Sequence, residues 1–315
     1  MGGNSTEADI SIKSGTVVYQ NLDKTKYNAY CVMITGTTWE VINNTKKHTI
    51  DKSDFSFDFN GFKIKFDCVF NAIHGSPGED GLLCAYFDLL GIKHTSAPFY
   101  QMALTFNKKD CLSVLRDYDI KMATSFVISK GDTINTKVIA EKVGMPCFVK
   151  PNQAGSSFGI SKVYKEADLL AALDIAFAED SIVLIESFLE GTEVSVGVID
   201  YQNEILVLPP TEIVSDNDFF DYDAKYNGKS QEITPARISA IQLENLNAVA
   251  EKIYKTLNMK GFTRSEFIFI GDEPYFLEMN TVPGLTNESL LPQQSRAAGI
   301  SLQDLFTNAI EMALK

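Results

Sequence analysis

Arg264-Ser265-Glu266-Phe267-Ile268-Phe269-Ile270-Gly271-Asp272-Glu273-Pro274-Tyr275-Phe276-Leu277-Glu278-Met279-Asn280 reads as two apolar strands joined by a Gly-Asp turn. With the hairpin centred near Asp272, Glu266 falls opposite Glu278 and Arg264 opposite Asn280. Period-two alternation then puts all four side chains on one face. Two carboxylates and an amide oxygen, gathered at the end of apolar strands, are hard-oxygen ligands that suit Mg²⁺. That ion takes few protein ligands and completes its shell with water and phosphate oxygens. A neighbouring arginine balances developing negative charge. The plain alternative is a solvated polar strand end, which leaves the coincidence of face and chemistry unexplained.

Working outward, Cys147-Phe148-Val149-Lys150-Pro151 is a strand that delivers a lysine to a small-residue loop, Gly155-Ser156-Ser157-Phe158-Gly159. Backbone N–H groups free of bulky side chains can fold over phosphate oxygens there, with Lys150 supplying the charge. A plain hairpin tip is the competing reading. The loop also spells G-x-S-x-G, the nucleophile elbow of serine hydrolases. That elbow needs a helix directly after it, whereas Ile160 to Tyr164 reads as a strand. It also needs a later histidine, and none follows His94. Neither a Walker loop nor a Rossmann G-x-G-x-x-G occurs.

Two weaker signals complete the set. Ile182 to Ile185 runs into Glu186-Ser187-Phe188-Leu189, a strand-to-linker step where a main chain can read the edge of an adenine. His74-Gly75-Ser76-Pro77-Gly78-Glu79-Asp80-Gly81 follows a buried strand and opens a helix. Its glycines allow close backbone approach, and the helix N-terminus favours a carboxylate. A Gly/Pro turn with a capping acid explains the same residues.

The whole chain has 315 residues, 45% of them hydrophobic, and 28 Lys and Arg against 41 Asp and Glu, a net −13. That length predicts two or three domains with sizeable cores. The acidity argues against a nucleic-acid partner or an anionic membrane surface. No apolar run is long enough to cross a membrane, and no secretory signal is visible. Five cysteines without metal-knuckle spacing read as free thiols of a reducing compartment. The first hundred residues alternate helix-like and strand-like segments, with apolar positions at Ile10, Ile12, Val17, Val18 and Leu22 in the first helix. Such alternation predicts a parallel α/β sheet. The last helix carries Leu302, Leu305, Phe306, Ala309, Ile310 and Ala313 on one stripe behind a Ser301 cap.

Taken together, these motifs resemble the ATP-grasp superfamily, and specifically the D-alanine–D-alanine ligases. The resemblance runs from Gly2-Gly3-Asn4-Ser5-Thr6-Glu7 to the last helix. It is carried by the His74 to Gly81 loop, Lys150-Pro151 with Gly155-Ser156-Ser157 and Gly159, Asp221-Tyr222-Asp223-Ala224-Lys225-Tyr226, and Glu278-Met279-Asn280-Thr281 with Pro283-Gly284. It implies an α/β chain, α+β in its nucleotide-binding part. Residues 1–100 form a Rossmann-like parallel-sheet domain, 101–188 the central ATP-grasp subdomain, and 189–315 the C-terminal subdomain with the metal and substrate site.

The implied reaction is ATP-dependent ligation of two D-alanines through an acyl phosphate, in the cytoplasm, for peptidoglycan precursor synthesis. Glu266, Glu278 and Asn280 match the metal ligands, for two Mg²⁺ ions with Mn²⁺ as a substitute. Lys108, Lys150, Ser157, Glu186, Leu189, Glu193 and Lys225 match ATP contacts. Arg264 and the Gly284 N–H match the groups that stabilise the oxyanion. Glu7 matches the residue that holds the first D-alanine ammonium, with Ser156 and Tyr226 as its hydrogen-bonded partners. His74 lies near that substrate, and Ser289 and Leu290 match contacts to the second. The 215–226 stretch matches a loop that seals the site, and family habit implies a homodimer.

This chain departs from the pattern at Glu266, commonly Asp, at Ser187, commonly Lys, and at Ala154, commonly acidic. The first strand of the N-terminal sheet is missing, so the expectation is a start upstream or a poor enzyme. Two other readings are carried along: a ligase that takes D-lactate or D-serine second, and a nucleotide-binding protein without turnover. Retention of Lys108, Lys150, Arg264, Glu266, Glu278 and Asn280 argues against the last, and Lys225-Tyr226 against D-lactate.

Overall fold

The computed structural model describes residues 1–43, 46–153, 155, 158–215 and 230–315. Helix α1 (Ala8–Asn21) comes first, followed by β1 (Cys31–Thr35), β2 (Thr38–Asn43) and β3 (Lys46–Thr49). These three strands form an antiparallel meander. A second antiparallel pair, β4 (Phe57–Phe59) and β5 (Phe62–Ile64), lies beside it. Then β6 (Cys68–Val69), α2 (Leu82–Leu89) and β7 (Lys93–His94) make one parallel crossover unit.

Parallel pairing is therefore present in this part of the chain, but among the described residues it is confined to β6–β7 and a single bridge between Gly2 and Ile34. The rest is antiparallel because the β1–β2 connection is only two residues long, and a crossover cannot fit in so short a link. The bridge at Gly2 stands where the missing strand was expected. Met1 donates its ammonium to the Val32 carbonyl at 3.0 Å, and Gly3 N–H donates to the Ile34 carbonyl at 2.7 Å. Phe55, Phe57 and Phe87 fill the core of this unit, with Phe55 and Phe87 edge-on at 4.9 Å between centroids.

Helices α3 (Phe99–Phe106) and α4 (Lys108–Arg116) lead into a four-stranded sheet. Its elements are β8 (Ser125–Ser129), α5 (Thr136–Val143), β9 (Cys147–Pro151), β10 (Ser161–Val163), α6 (Leu169–Glu179) and β11 (Ile182–Ser187), with strand order β10-β9-β11-β8. On α6, Leu169, Leu173 and Ala176 pack on Val149, Val183 and Ile185.

The largest sheet follows, from β12 (Thr192–Tyr201), β13 (Glu204–Val207), β14 (Thr211–Ser215), β15 (Ser230–Ile233), α7 (Ala240–Thr256), β16 (Phe262–Ile270) and β17 (Glu273–Asn280). Its order is β15-β14-β12-β16-β17, with β13 on β12. Val194, Val196, Val198, Phe267, Phe269 and Phe276 face α3, α4 and α7 and are buried there. A capping box opens α7: Ser239 Oγ accepts from Gln242 N–H at 3.1 Å, and Gln242 Oε1 accepts from Ser239 N–H at 2.9 Å. Helices α8 (Leu290–Ala297) and α9 (Leu302–Leu314) close the chain, and Ser301 caps α9 as read from the sequence, accepting from Asp304 N–H at 3.1 Å. No helix among the described residues is long and apolar enough to cross a membrane.

Candidate active site

The site grows from the β16–β17 hairpin. Glu266 pairs with Glu278 and Arg264 with Asn280, the register read from the sequence. It is reached by a route that reading did not contain. Next to the turn, Ile270 pairs with Glu273 and Phe267 with Phe276, so strict alternation from there would place Leu277, not Glu278, opposite Glu266. A bulge at Leu277 takes up the extra residue. It matters because Phe276 faces the core, and unbroken alternation would send Glu278 and Asn280 to that same side. The bulge turns them to the opposite face, beside Arg264 and Glu266.

Cations already neutralise both carboxylates. Arg264 Nη2 lies 2.8 Å from Glu266 Oε1, and Lys108 Nζ lies 3.4 Å from Glu278 Oε2. Lys108 is the first residue of α4, where Asn107 Oδ1 accepts from Asp110 N–H at 3.1 Å. Asn152, buried just beyond β9, fastens that helix start. Its carbonyl accepts from Lys108 N–H at 3.3 Å, its Oδ1 from Lys109 N–H at 2.8 Å, and its Nδ2 donates to Asn107 Oδ1 at 2.9 Å. One residue therefore sets Lys108 relative to β9, the strand that carries Lys150.

Lys150 forms a buried ion pair with Glu186 on the adjoining strand β11. Burial by itself pushes the ammonium toward its neutral form. The Glu186 carboxylate on it, with Glu278 and Glu266 further off, outweighs that and holds its pKa above the ordinary lysine value. Lys150 thus stays charged in a nearly dry setting and is electrostatically joined to the hairpin carboxylates.

A cavity of about 300 Å³ collects the remaining residues. Of those expected from the sequence, Glu7, His74, Lys108, Arg264, Glu266, Glu278, Asn280, Gly284, Ser289 and Leu290 all line it. Glu7 stands at the start of α1, and Gly155 packs over it so closely that a Cβ there would lie 2.4 Å from Glu7 Oε2. Lys150, Glu186, Leu189 and Glu193 lie outside its lining. Leu189 is buried just after β11, and Glu193 sits on β12 between Ile213 and Ile268. Ser156, Ser157, Lys225 and Tyr226, with the 216–226 part of the sealing stretch, fall outside the described residues. Ser187, at the position where relatives commonly carry lysine, accepts from Thr124 N–H at 3.0 Å.

Two groups of site residues were not legible. Glu79, given no role of its own within the His74 to Gly81 loop, is buried in the cavity wall and accepts from Gly75 N–H at 3.1 Å and Val282 N–H at 3.5 Å. Burial, reinforced by the nearby Glu7 carboxylate, pushes its pKa up to about 7. Helix α1 turns Ser11, Ser14 and Val18 inward, while Ile10, Ile12 and Val17 are only partly buried. The buried face is thus shared by two serines with Val18 and Leu22. A signal was available: with Glu7 the serines fall at i, i+4 and i+7.

Known proteins resemble this chain along nearly its whole length. The family model described as D-ala D-ala ligase N-terminus matches residues 1–97, and that described as D-ala D-ala ligase C-terminus matches residues 114–311. A D-alanine–D-alanine ligase from Flavobacterium johnsoniae is 63% identical over 315 residues, covering 100% of this chain and 98% of that protein. One from Christiangramia forsetii is 56% identical over 315 residues, covering 100% and 97%. The crystal structure of a D-alanine–D-alanine ligase from Bacillus anthracis superposes with a TM-score of 0.80 at 30% identity, covering 100% of this chain and 95% of that one. A D-Ala:D-Ser ligase from Enterococcus faecalis gives 0.87 at 30%, covering 99% and 97%. The fold is the ATP-grasp fold, and the chain belongs to the family of D-alanine–D-alanine ligases.

Proposed function

We propose that the chain joins two D-alanine molecules at the expense of ATP, releasing ADP and phosphate, and so supplies a peptidoglycan precursor in the cytosol. One observation carries this reading. Arg264 and Glu266 face Asn280 and Glu278 across one register, in the same cavity wall as Glu7 and Gly284.

The donor set fits Mg²⁺. Glu266 and Glu278 offer carboxylates and Asn280 an amide oxygen, the hard ligands that ion takes. Asn280 Nδ2 and Arg264 Nε are buried without a hydrogen-bond partner among the described residues, as expected where an anionic, metal-bearing ligand completes the site. Bound there, Mg²⁺ supplies charge neutralisation for the transferring phosphoryl group. Lys108 and Lys150 hold the triphosphate from the other side, and Glu186, Leu189 and Glu193 take the adenine and ribose.

In the first step the D-alanine carboxylate attacks the γ-phosphorus, forming an acyl phosphate and freeing ADP. In the second, the amine of another D-alanine attacks the acyl carbon and phosphate leaves. Glu7 holds the first ammonium. Arg264 and the Gly284 N–H face the oxygen that gains charge as the carbonyl becomes tetrahedral. Ser289 and Leu290, at the start of α8, position the second substrate.

ADP release is measured with ATP and Mg²⁺, with and without D-alanine. Release that requires D-alanine and falls about 10²- to 10³-fold in Arg264→Ala supports the reading. Release indifferent to D-alanine, or none, sinks it. Offering D-serine or D-lactate beside limiting D-alanine decides which second substrate is used.

A further inference from the structure

Two serines of α1, Ser11 and Ser14, are 0% exposed. A buried hydroxyl is tolerated when its proton and lone pairs are used. Ser11 Oγ accepts from His74 N–H at 2.9 Å and donates to the Glu7 carbonyl at 3.2 Å. Ser14 Oγ meets His74 Nε2 at 3.2 Å and Leu285 N–H at 3.1 Å.

Counting one proton settles the directions at Ser14. Leu285 N–H can only donate, so Ser14 accepts there. If His74 Nε2 also carried a proton, the Ser14 hydroxyl hydrogen would be buried facing no acceptor. The hydroxyl therefore donates to a bare Nε2, and the ring proton of His74 sits on Nδ1.

The other end of this contact is the segment that follows β17. Val282 N–H donates to Glu79, Leu285 N–H donates to Ser14, and Gly284 N–H, between them, bonds to no group among the described residues. The segment is thus fastened to the first part of the chain on both sides of the one donor left open to the cavity.

We propose that Ser14 is a positioning residue for the ligation, its single hydroxyl fixing the Leu285 N–H, and through it the Gly284 N–H, while also setting the tautomer of His74. The catalytic half of this proposal rests on Gly284 N–H acting as an oxyanion donor. The hydrogen-bond half does not.

The test has two arms. In the full chain labelled with ¹⁵N-histidine, a long-range ¹H–¹⁵N spectrum reads each imidazole, and His48→Asn and His94→Asn single out His74. The expected ring has a protonated Nδ1 and a bare Nε2, and Ser14→Ala abolishes that preference. A protonated Nε2 in the unsubstituted chain overturns the proposal. In the second arm, Ser14→Ala lowers kcat for D-alanine-dependent ADP release about 10- to 100-fold, with the KM for ATP within about twofold. Ser14→Thr, which keeps the hydroxyl, recovers most of the rate. A folded Ser14→Ala chain with unchanged kcat overturns the proposal. Should Ser14→Ala fail to fold, the Nδ1–H ring together with an active Ser14→Thr supports it, and a folded but inactive Ser14→Thr with unchanged ring spectrum overturns its catalytic half. If the unsubstituted chain shows no D-alanine-dependent turnover, the ligase reading fails, and the spectrum still decides the hydrogen bond.

Discussion

Replacing Glu79 with Gln isolates the cost of keeping a carboxyl in the cavity wall. Burial, then the Glu7 charge, raises its pKa from an ordinary 4.5 to about 7. Between those values the folded chain holds a proton that the unfolded chain has lost. The sign follows: this stabilising contribution is full below pH 4.5, declines above it, and is gone once pH passes 7. Between pH 5 and pH 8 the folded state loses about 2 to 3 kcal/mol from this one group. Glu79→Gln has no proton to lose, so that share of the pH dependence disappears. The amide offers only one acceptor to the Gly75 and Val282 N–H groups, which lowers stability by about 1 kcal/mol at every pH. Denaturant unfolding of both chains at pH 5 and pH 8 separates the two effects, because the hydrogen-bond cost cancels in the pH difference. A Glu79→Gln chain whose stability changes with pH as steeply as the unsubstituted chain would refute the reasoning.

Three other substitutions test separate parts of the site. Glu186→Gln strands the buried Lys150 ammonium; we expect a loss of about 3 kcal/mol in denaturant unfolding, and a KM for ATP raised more than kcat is lowered. Glu278→Gln removes one carboxylate of the proposed metal set and the partner of Lys108, so the Mg²⁺ concentration for half-maximal ADP release rises about tenfold or more. Gly191→Ala places a Cβ 1.8 Å from the Phe269 carbonyl oxygen, a contact only backbone movement can relieve. The expected cost is about 1 to 3 kcal/mol, seen as a lower melting temperature.

What the sequence made legible was the chemistry held in regular strands. The hairpin pairs could be counted, because Phe267-Ile268-Phe269 and Tyr275-Phe276-Leu277 are plainly apolar and the turn between them is short. The Leu277 bulge could not, since one extra residue leaves no trace in an apolar run. Lys150 was legible at the end of a strand, but its partner Glu186 was not, because 36 positions separate them and only the β9–β11 register brings them together. In α1 the hydrophobic pattern marked Val18 and Leu22, which are buried, but missed the two serines on the same face. Ser11 and Ser14 are buried by hydrogen bonds to residues 60 and more positions away, which no local hydrophobic pattern records. Residues 36–43 and 46–66 gave no assignment, and they fold largely as antiparallel strands around an aromatic core. Lys46 and Lys47 put two adjacent charges into β3, which breaks the alternation by which strands are read, and β4 and β5, though they alternate, are only three residues each.

The Leu277 bulge also turns the length of β17 into a matter of odd and even. Phe276 anchors one end of the strand in the core, and Glu278 reaches the cavity only because the bulge absorbs the one residue between them. Deleting Leu277 would remove the bulge with the residue, and plain alternation would still turn Glu278 and Asn280 to the cavity. Keeping Leu277 but pairing it regularly would aim both side chains into the apolar interior. The turn at Gly271-Asp272, on the far side of the anchor, is released from this arithmetic and can vary in length without disturbing the chemistry.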